Sequence, residues 1–354
     1  MNNNVSLGKE KVCMKYSLII VSICMLFAGC KKETSLQKTA SYDTSLTIDW
    51  MRDLQLKYPN TEITLKDICL PSAHDAGVYE LNNCLGGNDC NTKTQYLNMG
   101  MMLASGVRVF DLRPTLINGV YWTFHRTNCG GLGCEGVQLR TFLEETKSYL
   151  DQHNELVIFE ITHLCNTGSQ DPGLIALFND ILGNTKYTLN SNLPSTLILT
   201  PLQEIIPANG NGGKVVLLWE DVSAATENRS EGIFDYNFLP TSGGYSNNKD
   251  IDIVIANQLL KFNNFNETSH ELFELSYTFT LDAGASVSCL SGPENSVSIE
   301  SIALDGRSRL KETIDTWIAS GSITANKIPN ILSIDFSNTI VTAQCIRLSE
   351  LSLQ

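Results

Sequence analysis

The chain has 354 residues, of which 18% are charged and 42% hydrophobic, and its formal net charge is −13. This composition is typical of a globular protein. The acidic balance disfavours nucleic acid as a partner and gives no electrostatic attraction to anionic membranes. Roughly 310 residues follow the N-terminal region, enough for one large α/β barrel or two ordinary domains.

The first thirty residues carry an export pattern. Three lysines precede an apolar run over residues 16–27, which is too short to span a bilayer stably. Residues 1–29 are therefore predicted to be a signal peptide. Small residues directly before Cys30 resemble a bacterial lipobox, with Phe27 where leucine is usual. We expect Cys30 to be the lipidated first residue of the mature protein, and ordinary cleavage nearby is the alternative.

Residues 30–47 are rich in Ser, Thr and Lys, which predicts a flexible tether. No linker, charge run or internal repeat divides residues 48–354, so they are predicted to form one domain. Without residues 1–29 the formal charge becomes about −15, so membrane contact would come from the lipid anchor or from apolar loops. The expected location is the bacterial cell envelope, periplasmic or surface-exposed, and the expected state is a monomer.

Short apolar runs rich in β-branched and aromatic residues alternate with helical patterns along the domain. The predicted strands cover residues 63–70, 107–112, 120–124, 156–161, 215–219, 275–280 and 331–336. The predicted helices cover residues 94–104, 138–152, 174–182 and 299–319. This alternation predicts β/α units around a parallel sheet, and hence a single TIM-type (β/α) barrel that can be distorted or incompletely closed.

Polar side chains follow these strands at their carboxyl ends: His74, Asp75, Arg113, His125, His163 and Asp335. Barrel enzymes assemble their active sites at that face. Asp111 and Arg113 are two residues apart and therefore lie on the same side of their strand. Histidine is scarce, with 5 in the chain, so histidines at this face are informative. A base, an acid and a fixed cation are the groups that phosphodiester cleavage requires without a metal.

Several segments also keep a recognisable order and spacing. LPSAHD at residues 70–75 and GVRVFDLR at residues 106–113 are followed by His125, by ELVIFEI at residues 155–161, by KVVLL at residues 214–218 and by Asp335. This series resembles the phosphatidylinositol-specific phospholipase C X-domain family, whose corresponding segments read PGTHDS, GIRxFDIR, EVVILEI and KIVLL. The match covers nearly all of the chain after the tether, so it implies the family's barrel fold as well as its site.

The resemblance implies a role for each matched residue. His74 is the expected general base that takes the proton from the inositol 2-hydroxyl, and Asp335 is expected to orient it and stabilise its cation. His125 is the expected general acid that protonates the departing diacylglycerol oxygen, assisted by Asp75. The first product would be a cyclic inositol phosphate, so the enzyme would be a lyase that acts on a phospholipid or glycolipid.

Arg113 is expected to contact the non-bridging phosphate oxygens, and Asp111 to hold the two cations in register. Calcium-dependent members of the family have an acidic ligand at the position of Arg113. A guanidinium cannot coordinate a hard cation. The resemblance therefore implies an enzyme that needs neither a metal nor another cofactor.

The chain departs from the family at several positions. Ser72 and Ala73 replace the usual glycine and threonine, and Arg126 follows the second histidine where glycine is common. Bacterial relatives have a lysine and an arginine, which contact phosphate or inositol hydroxyls, where this chain has Thr162 and Glu220. These differences leave the cleavage chemistry intact and affect the choice of headgroup.

Two alternative functions stay open. A phosphodiesterase of the same fold could act on a glycerophosphodiester or a sphingolipid. Relatives of that kind use magnesium held by acidic residues near the first histidine, where Glu80 is the only nearby candidate. The other alternative is a lipoprotein with a decayed site that binds lipid or glycan. Thr162 and Glu220 keep it open, whereas both histidines and Arg113 argue against it.

The cysteines agree with export. Two pairs lie in Gly/Asn-rich loops where short disulfide loops are plausible: Cys84 with Cys90, and Cys129 with Cys134. Cys69 and Cys165 lie beside apolar strand residues and are expected to pack as small hydrophobic side chains. No histidine neighbours the cysteines at zinc-ligand spacing, so a zinc site is not expected.

Overall fold

A computed structural model describes residues 47–168, 170–188, 197–268, 270–292 and 296–354. The predicted signal peptide, the predicted lipidation site Cys30 and the predicted tether up to residue 46 lie outside the described residues. Within these ranges, no helix is both long enough and apolar enough to cross a membrane.

The secondary structure alternates between strands and helices for most of its length. In the described ranges the strands are β1 (Leu70–Ala73), β2 (Asn82–Leu85), β3 (Val109–Leu112), β4 (Pro114–Ile117), β5 (Val120–Arg126), β6 (Gly133–Gln138), β7 (Leu156–Ile161), β8 (Lys214–Trp219), β9 (Ile233–Asp235), β10 (Thr241–Gly243), β11 (Leu272–Ser276) and β12 (Ile331–Ile334). The helices are α1 (Trp50–Lys57), α2 (Met99–Ala104), α3 (Leu139–Leu150), α4 (Pro172–Leu182), α5 (Leu202–Ile205), α6 (Val222–Glu227), α7 (Ile251–Asn264), α8 (Ala283–Ser291), α9 (Ile299–Ala319) and α10 (Thr339–Ser352).

Eight of these strands form one curled parallel sheet in the order β10-β11-β12-β1-β3-β7-β8-β9. Among the described residues the edge strands β9 and β10 form no ladder with each other, so the barrel is incompletely closed. Helix α3 shows how the flanking helices form, because it buries Phe142, Leu143 and Leu150 on one face and exposes charged side chains on the other. The predicted distorted TIM-type barrel is confirmed.

The barrel interior has two levels. Apolar side chains from five neighbouring strands pack in one buried cluster: Leu70, Val109, Ile158, Leu272 and Ile331. Burial of each such side chain contributes about 1.5–3 kcal/mol. The residues two positions further along the same strands lie on the same face and are polar. They are Ser72, Asp111, Glu160, Glu274 and Ser333. The apolar level stabilises the barrel, and the polar level, nearer the carboxyl ends of the strands, can carry a site.

A smaller antiparallel sheet, in the order β2-β6-β5-β4, packs on the turn that follows β1. The side-chain hydroxyl of Thr123 in β5 donates to the carbonyl of Gly77, 2.9 Å away. A Cβ atom at Gly77 would lie 2.3 Å from the Thr123 side chain, and one at Gly136 would lie 2.1 Å from the Gly77 carbonyl oxygen. Both positions therefore require glycine, and this close approach brings β5, with His125, next to the turn that carries His74.

Several predicted elements differ from the structure. Residues 63–69 form turns and irregular backbone rather than a strand, although Ile63, Leu65 and Ile68 are buried. Their apolar pattern comes from packing under the barrel, not from strand pairing. The predicted strand at residues 120–124 exists as part of β5, but it belongs to the antiparallel sheet. The strand predicted at residues 156–161 and the helix predicted at residues 299–319 are confirmed as β7 and α9.

The predicted short disulfide loops are wrong. Cys84 pairs with Cys134, because β2 runs antiparallel to β6 and brings the two side chains together. Cys90 pairs with Cys289 of helix α8, which is 199 residues away in sequence. Both bonds join distant segments, so spacing along the chain could not indicate the partners.

Candidate active site

His74 lies at the carboxyl end of β1 and is oriented by the last barrel strand. Its Nδ1 atom is 2.8 Å from Oδ1 of Asp335, which directly follows β12. A neutral imidazole with its proton on Nδ1 donates to this carboxylate and leaves the Nε2 lone pair facing the site. The geometry is that of a histidine held by a carboxylate, as a general base requires.

Arg113 extends over the same face from the end of β3. Its Nη2 atom is 2.9 Å from Oδ2 of Asp111 and 3.2 Å from Nε2 of His74. Its Nε atom is 2.8 Å from Oδ1 of Asp75. The guanidinium is therefore fixed by two carboxylates beside the first histidine, and 15% of its side chain is exposed toward solvent.

His125 approaches from the antiparallel sheet. Its Nδ1–H group donates a hydrogen bond to the carbonyl oxygen of Thr92, 2.7 Å away. This hydrogen bond directs Nε2 into the site. That Nε2 atom lies 3.6 Å from Oδ2 of Asp75. The ring centroids of His74 and His125 are 6.4 Å apart. Two imidazoles therefore face one small volume from different elements.

Asp75 connects these groups. Its carboxylate lies within 3.6 Å of Nε2 in both histidines and of Nε in Arg113. These are ion-pair contacts without aligned hydrogen bonds, since neither carboxylate oxygen has a hydrogen-bond partner among the described residues. The side chain is fully buried, and the backbone adopts a left-handed conformation with φ of 44°. Such strain in a non-glycine residue is typical of sites where side-chain placement matters.

Neighbouring polar groups fix the backbone of this turn. The Gln95 side-chain amide donates to the carbonyl of His74, 2.9 Å away, and its oxygen accepts from the backbone N–H of Ser337 at 3.0 Å. The Thr94 hydroxyl donates to the carbonyl of Asp75 at 2.9 Å. Gln95 thereby ties the turns after β1 and β12 together. This holds His74 and Asp335 in register.

The charges of the site shift three pKa values. Burial alone lowers the pKa of His74, but Asp75 and Asp335 outweigh it and raise this pKa to about 9. Burial raises the pKa of Asp111, yet Arg113 and His74 bring it down to about 2. Despite burial, Asp111 and Asp75 raise the pKa of Arg113. At neutral pH without substrate, His74 and Arg113 are cations and Asp111 is an anion.

A cavity of about 270 Å³ opens beside Arg113, over the polar level of the barrel. Tyr245 forms one wall, and its ring centroid is 5.3 Å from that of His74. Glu160 and Glu274 lie within the cavity lining. Burial, followed by the charges of Glu274 and Asp111, raises the pKa of Glu160 to about 8. Of the described lining residues, Arg113 is the only arginine, and no lysine lines the cavity.

One group of side chains in the site could hold a metal ion. His74, Asp75 and Asp111 each place a ligand atom within 4.8 Å of the others. The Arg113 guanidinium already contacts both of these carboxylates. A divalent cation would have to displace it or accept its repulsion, so these residues fit a fixed guanidinium better than a metal.

The structure brings all six predicted catalytic residues to one face: His74, Asp75, Asp111, Arg113, His125 and Asp335. Their catalytic roles stay predictions. The Thr162 hydroxyl donates to Oδ1 of Asp111 at 2.9 Å, and the Glu220 carboxylate accepts from the backbone N–H of His163 at 2.7 Å. Thr162 and Glu220, which stand where the resemblance predicts basic residues, thus make hydrogen bonds to Asp111 and His163 of the cavity lining.

The sequence did not identify the cavity residues Glu160 and Glu274, and for Tyr245 it left open whether the ring lines a headgroup pocket or packs in the core. Glu160 interrupts the apolar run of β7, which is a signal for a polar function. Glu274 lies before the strand predicted at residues 275–280, and β11 in fact begins at Leu272. Its position at the polar level could therefore not be assigned.

No known family model matches the sequence. A search of curated protein sequences also finds no match. Neither comparison therefore tests the resemblance to the phospholipase C family.

Solved structures do match the fold. Phosphatidylinositol-specific phospholipase C of Staphylococcus aureus aligns in one structure with a TM-score of 0.53 and 17% identity, covering 81% of this chain and 93% of that one. A second structure of the enzyme gives a TM-score of 0.57 at 14% identity, covering 86% and 99%. The Listeria monocytogenes enzyme gives 0.52 at 13% identity, covering 81% and 94%. The chain has the fold of these bacterial phospholipases C.

Proposed function

We propose that the protein is a phosphodiesterase that cleaves phosphatidylinositol-type lipids or glycolipids without a metal ion. One observation carries the proposal. The carboxylate of Asp75 lies within 3.6 Å of both imidazole Nε2 atoms and of the Arg113 guanidinium, so two proton-transfer groups and one fixed cation meet at a single point. The fold match to bacterial phosphatidylinositol-specific phospholipases C supports the same substrate class.

The first half of the reaction needs a base. Neutral His74 takes the proton of the inositol 2-hydroxyl at Nε2, and Asp335 on Nδ1 stabilises the imidazolium that forms. The deprotonated oxygen attacks phosphorus and closes a five-membered cyclic phosphate. Arg113 stabilises the negative charge that grows on the non-bridging oxygens, because its free N–H groups face the site.

The second half needs an acid. His125, protonated at Nε2, gives its proton to the diacylglycerol oxygen as the phosphorus–oxygen bond breaks. Asp75 lies 3.6 Å from this nitrogen and stabilises the charged imidazole before transfer. The products are diacylglycerol and a cyclic inositol phosphate. The proton lost by the 2-hydroxyl stays on His74, and the one given up by His125 leaves with diacylglycerol.

The cavity beside Arg113 would hold the headgroup. Its carboxyl groups on Glu160 and Glu274, together with Asp111, accept hydrogen bonds from hydroxyls and repel added phosphate. Protonated Glu160 can also donate one. We therefore expect an unphosphorylated polyol headgroup.

Membrane attachment belongs to the proposal as well. Lipidated Cys30 would hold the barrel at the bacterial cell envelope, next to its substrate, with the tether giving reach. Cys30→Ser should release the protein from the membrane fraction without changing turnover of a soluble, short-chain substrate. Protein that still requires detergent after this change must be held by something other than the anchor.

The activity test compares three forms of the full chain on phosphatidylinositol vesicles in excess chelator. Wild type should release diacylglycerol, and His74→Ala should lose about 10³- to 10⁴-fold in kcat. His153→Ala is the matched control, since His153 stacks on Tyr149 and pairs with Asp49, outside the site. Equal rates for His74→Ala and wild type, or no release by any form, would rule out the proposed function.

A further inference from the structure

Two cysteine thiols interact with each other in the segments that follow His125 and Thr162. Cys165 donates from its thiol to the carbonyl of Cys129 at 3.3 Å, and Cys129 donates from its thiol to the carbonyl of Leu164 at 3.8 Å. Each thiol therefore lies against the backbone of the other cysteine's segment. Neither residue takes part in the disulfides Cys84–Cys134 and Cys90–Cys289.

The two cysteines belong to different parts of the fold. Cys129 is exposed in the turn between β5 and β6, four residues after His125. Cys165 is buried in the loop after β7, three residues after the cavity residue Thr162, and its backbone forms a bridge with Thr115 of β4. Contact between these thiols thus spans the antiparallel sheet and the loop after β7.

We propose that Cys129 and Cys165 form a third disulfide, which joins the hairpin carrying His125 to the loop carrying Thr162. The two bonds already present place the chain among proteins that mature under oxidising conditions. A pair of thiols in mutual contact is oxidised under those conditions when one member can be reached.

Because Cys129 is exposed and Cys165 is buried, the thiol of Cys129 reacts with the oxidant first. The exposed Cys129 thiolate attacks a low-molecular-weight disulfide such as oxidised glutathione, forms a mixed disulfide and releases one thiol. Cys165 then attacks the Cys129 sulfur and releases the second thiol. Two protein thiols are oxidised, one small disulfide is reduced, and the two thiol protons end on the released glutathione molecules.

The second step should be slow at neutral pH. Burial, followed by the contact with Cys129, raises the pKa of Cys165 to about 11. Few molecules then carry the thiolate, so the closing rate should rise about tenfold per pH unit below this value. The mixed disulfide at Cys129 is the intermediate that should accumulate early at low pH.

The chain contains its own control pair. Cys69 and Cys345 also interact with each other, and both are fully buried. No oxidant reaches them in the folded state. They should stay reduced while Cys129 and Cys165 are joined.

The test is peptide mapping of the full chain after incubation with oxidised glutathione at pH 8. Free thiols are blocked with N-ethylmaleimide in acidic denaturant before digestion. Wild type should yield a Cys129–Cys165 cross-linked peptide, with Cys69 and Cys345 alkylated. Cys165→Ser should leave Cys129 as a glutathione adduct, and Cys129→Ser should leave Cys165 alkylated.

Other products would overturn the proposal. These are alkylation of both Cys129 and Cys165 in oxidised wild type, a stable glutathione adduct on Cys129 with Cys165 free, or cross-linking of Cys129 to Cys134. The bond should also raise the Tm of oxidised wild type above that of Cys129→Ser by roughly 5 °C. Equal Tm values would contradict its role in fixing the two segments.

Discussion

Two arginines, five residues apart, flank strand β3 in contrasting surroundings. Arg108 precedes β3 at the base of the barrel, and Arg113 follows it at the mouth. Both pair with carboxylates. They differ in what surrounds the remaining guanidinium N–H groups.

Arg108 is completely enclosed. It pairs with Glu155 at 2.8 Å, and both side chains are fully buried. Its other N–H groups donate to the carbonyls of Leu103, Val107 and Ile48 and to the Tyr149 hydroxyl. Every donor is used, so nothing remains for a ligand.

The guanidinium of Arg113, by comparison, is only partly enclosed by protein groups. Asp111 and Asp75 hold Nη2 and Nε, while the site in front of it is open to the cavity. The two carboxylates hold the guanidinium in position at the cavity. The fully enclosed ion pair of Arg108 thus stabilises the fold, whereas Arg113 still has guanidinium N–H groups that face the cavity and can bind an anion.

The same Arg→Lys substitution at both positions should separate these two roles. Arg113→Lys keeps the charge and loses the planar fork, so kcat/KM on a soluble phosphodiester should fall about 10²- to 10³-fold, while Tm changes by less than about 3 °C. Steady-state kinetics and thermal melting of the same preparation measure both quantities. Unchanged kcat/KM would show that Arg113 does not touch phosphate.

Arg108→Lys should give the opposite result. A lysine offers three N–H donors, whereas the site uses all five donors of the guanidinium. The buried negative charge of Glu155 would also be less well neutralised. We expect about 2–4 kcal/mol of destabilisation by urea unfolding, with kcat/KM within twofold of wild type at 25 °C. A loss of activity without loss of stability would contradict the division between the two arginines.

The pH profile should report the carboxylates around His74. A base must be neutral, and its pKa is raised to about 9. The fraction of enzyme with neutral His74, and with it the contribution of the base to kcat/KM, should therefore rise about tenfold per pH unit up to about pH 9. Asp335→Asn removes one cause of the raised pKa and should shift the rising limb to lower pH. A flat wild-type profile between pH 7 and 9 would contradict this assignment.

The smallest expected effect concerns the headgroup cavity. The pKa of Glu160 is about 8, so its negative charge appears as the pH rises from 7 to 9. The ratio of kcat/KM for phosphatidylinositol over its 4-phosphate should grow about five- to tenfold across this range. Glu160→Gln should remove that growth, whereas the exposed control Glu144→Gln should keep it. A constant wild-type ratio would exclude Glu160 from headgroup selection.

The sequence allowed a large part of the barrel and of the site to be predicted, because both depend on local patterns. The strand at residues 156–161 is a short apolar run, and the FDLR string ending at Arg113 places a polar side chain at the end of another apolar segment. His125, the proposed acid, was identified from motif spacing, which does not depend on knowing that β5 belongs to a separate sheet.

The remaining features depend on contacts between distant segments. The partner of Cys90 is Cys289, and no local rule selects it over nearer cysteines. Glu274 reaches the cavity only because β11 begins three residues earlier than predicted and pairs with β12. Gln95 connects the turns at His74 and Asp335. It was predicted to lie in a helix, but it precedes α2, which begins only at Met99.

The most direct test of metal-free cleavage is phosphorus NMR of wild-type protein with phosphatidylinositol in excess chelator. The mechanism predicts that a cyclic inositol phosphate resonance appears first, at the expense of the lipid phosphodiester signal. Absence of turnover until calcium or magnesium is added, or an acyclic phosphate as the first product, would contradict a reaction in which His74, His125 and Arg113 supply the base, the acid and the cation.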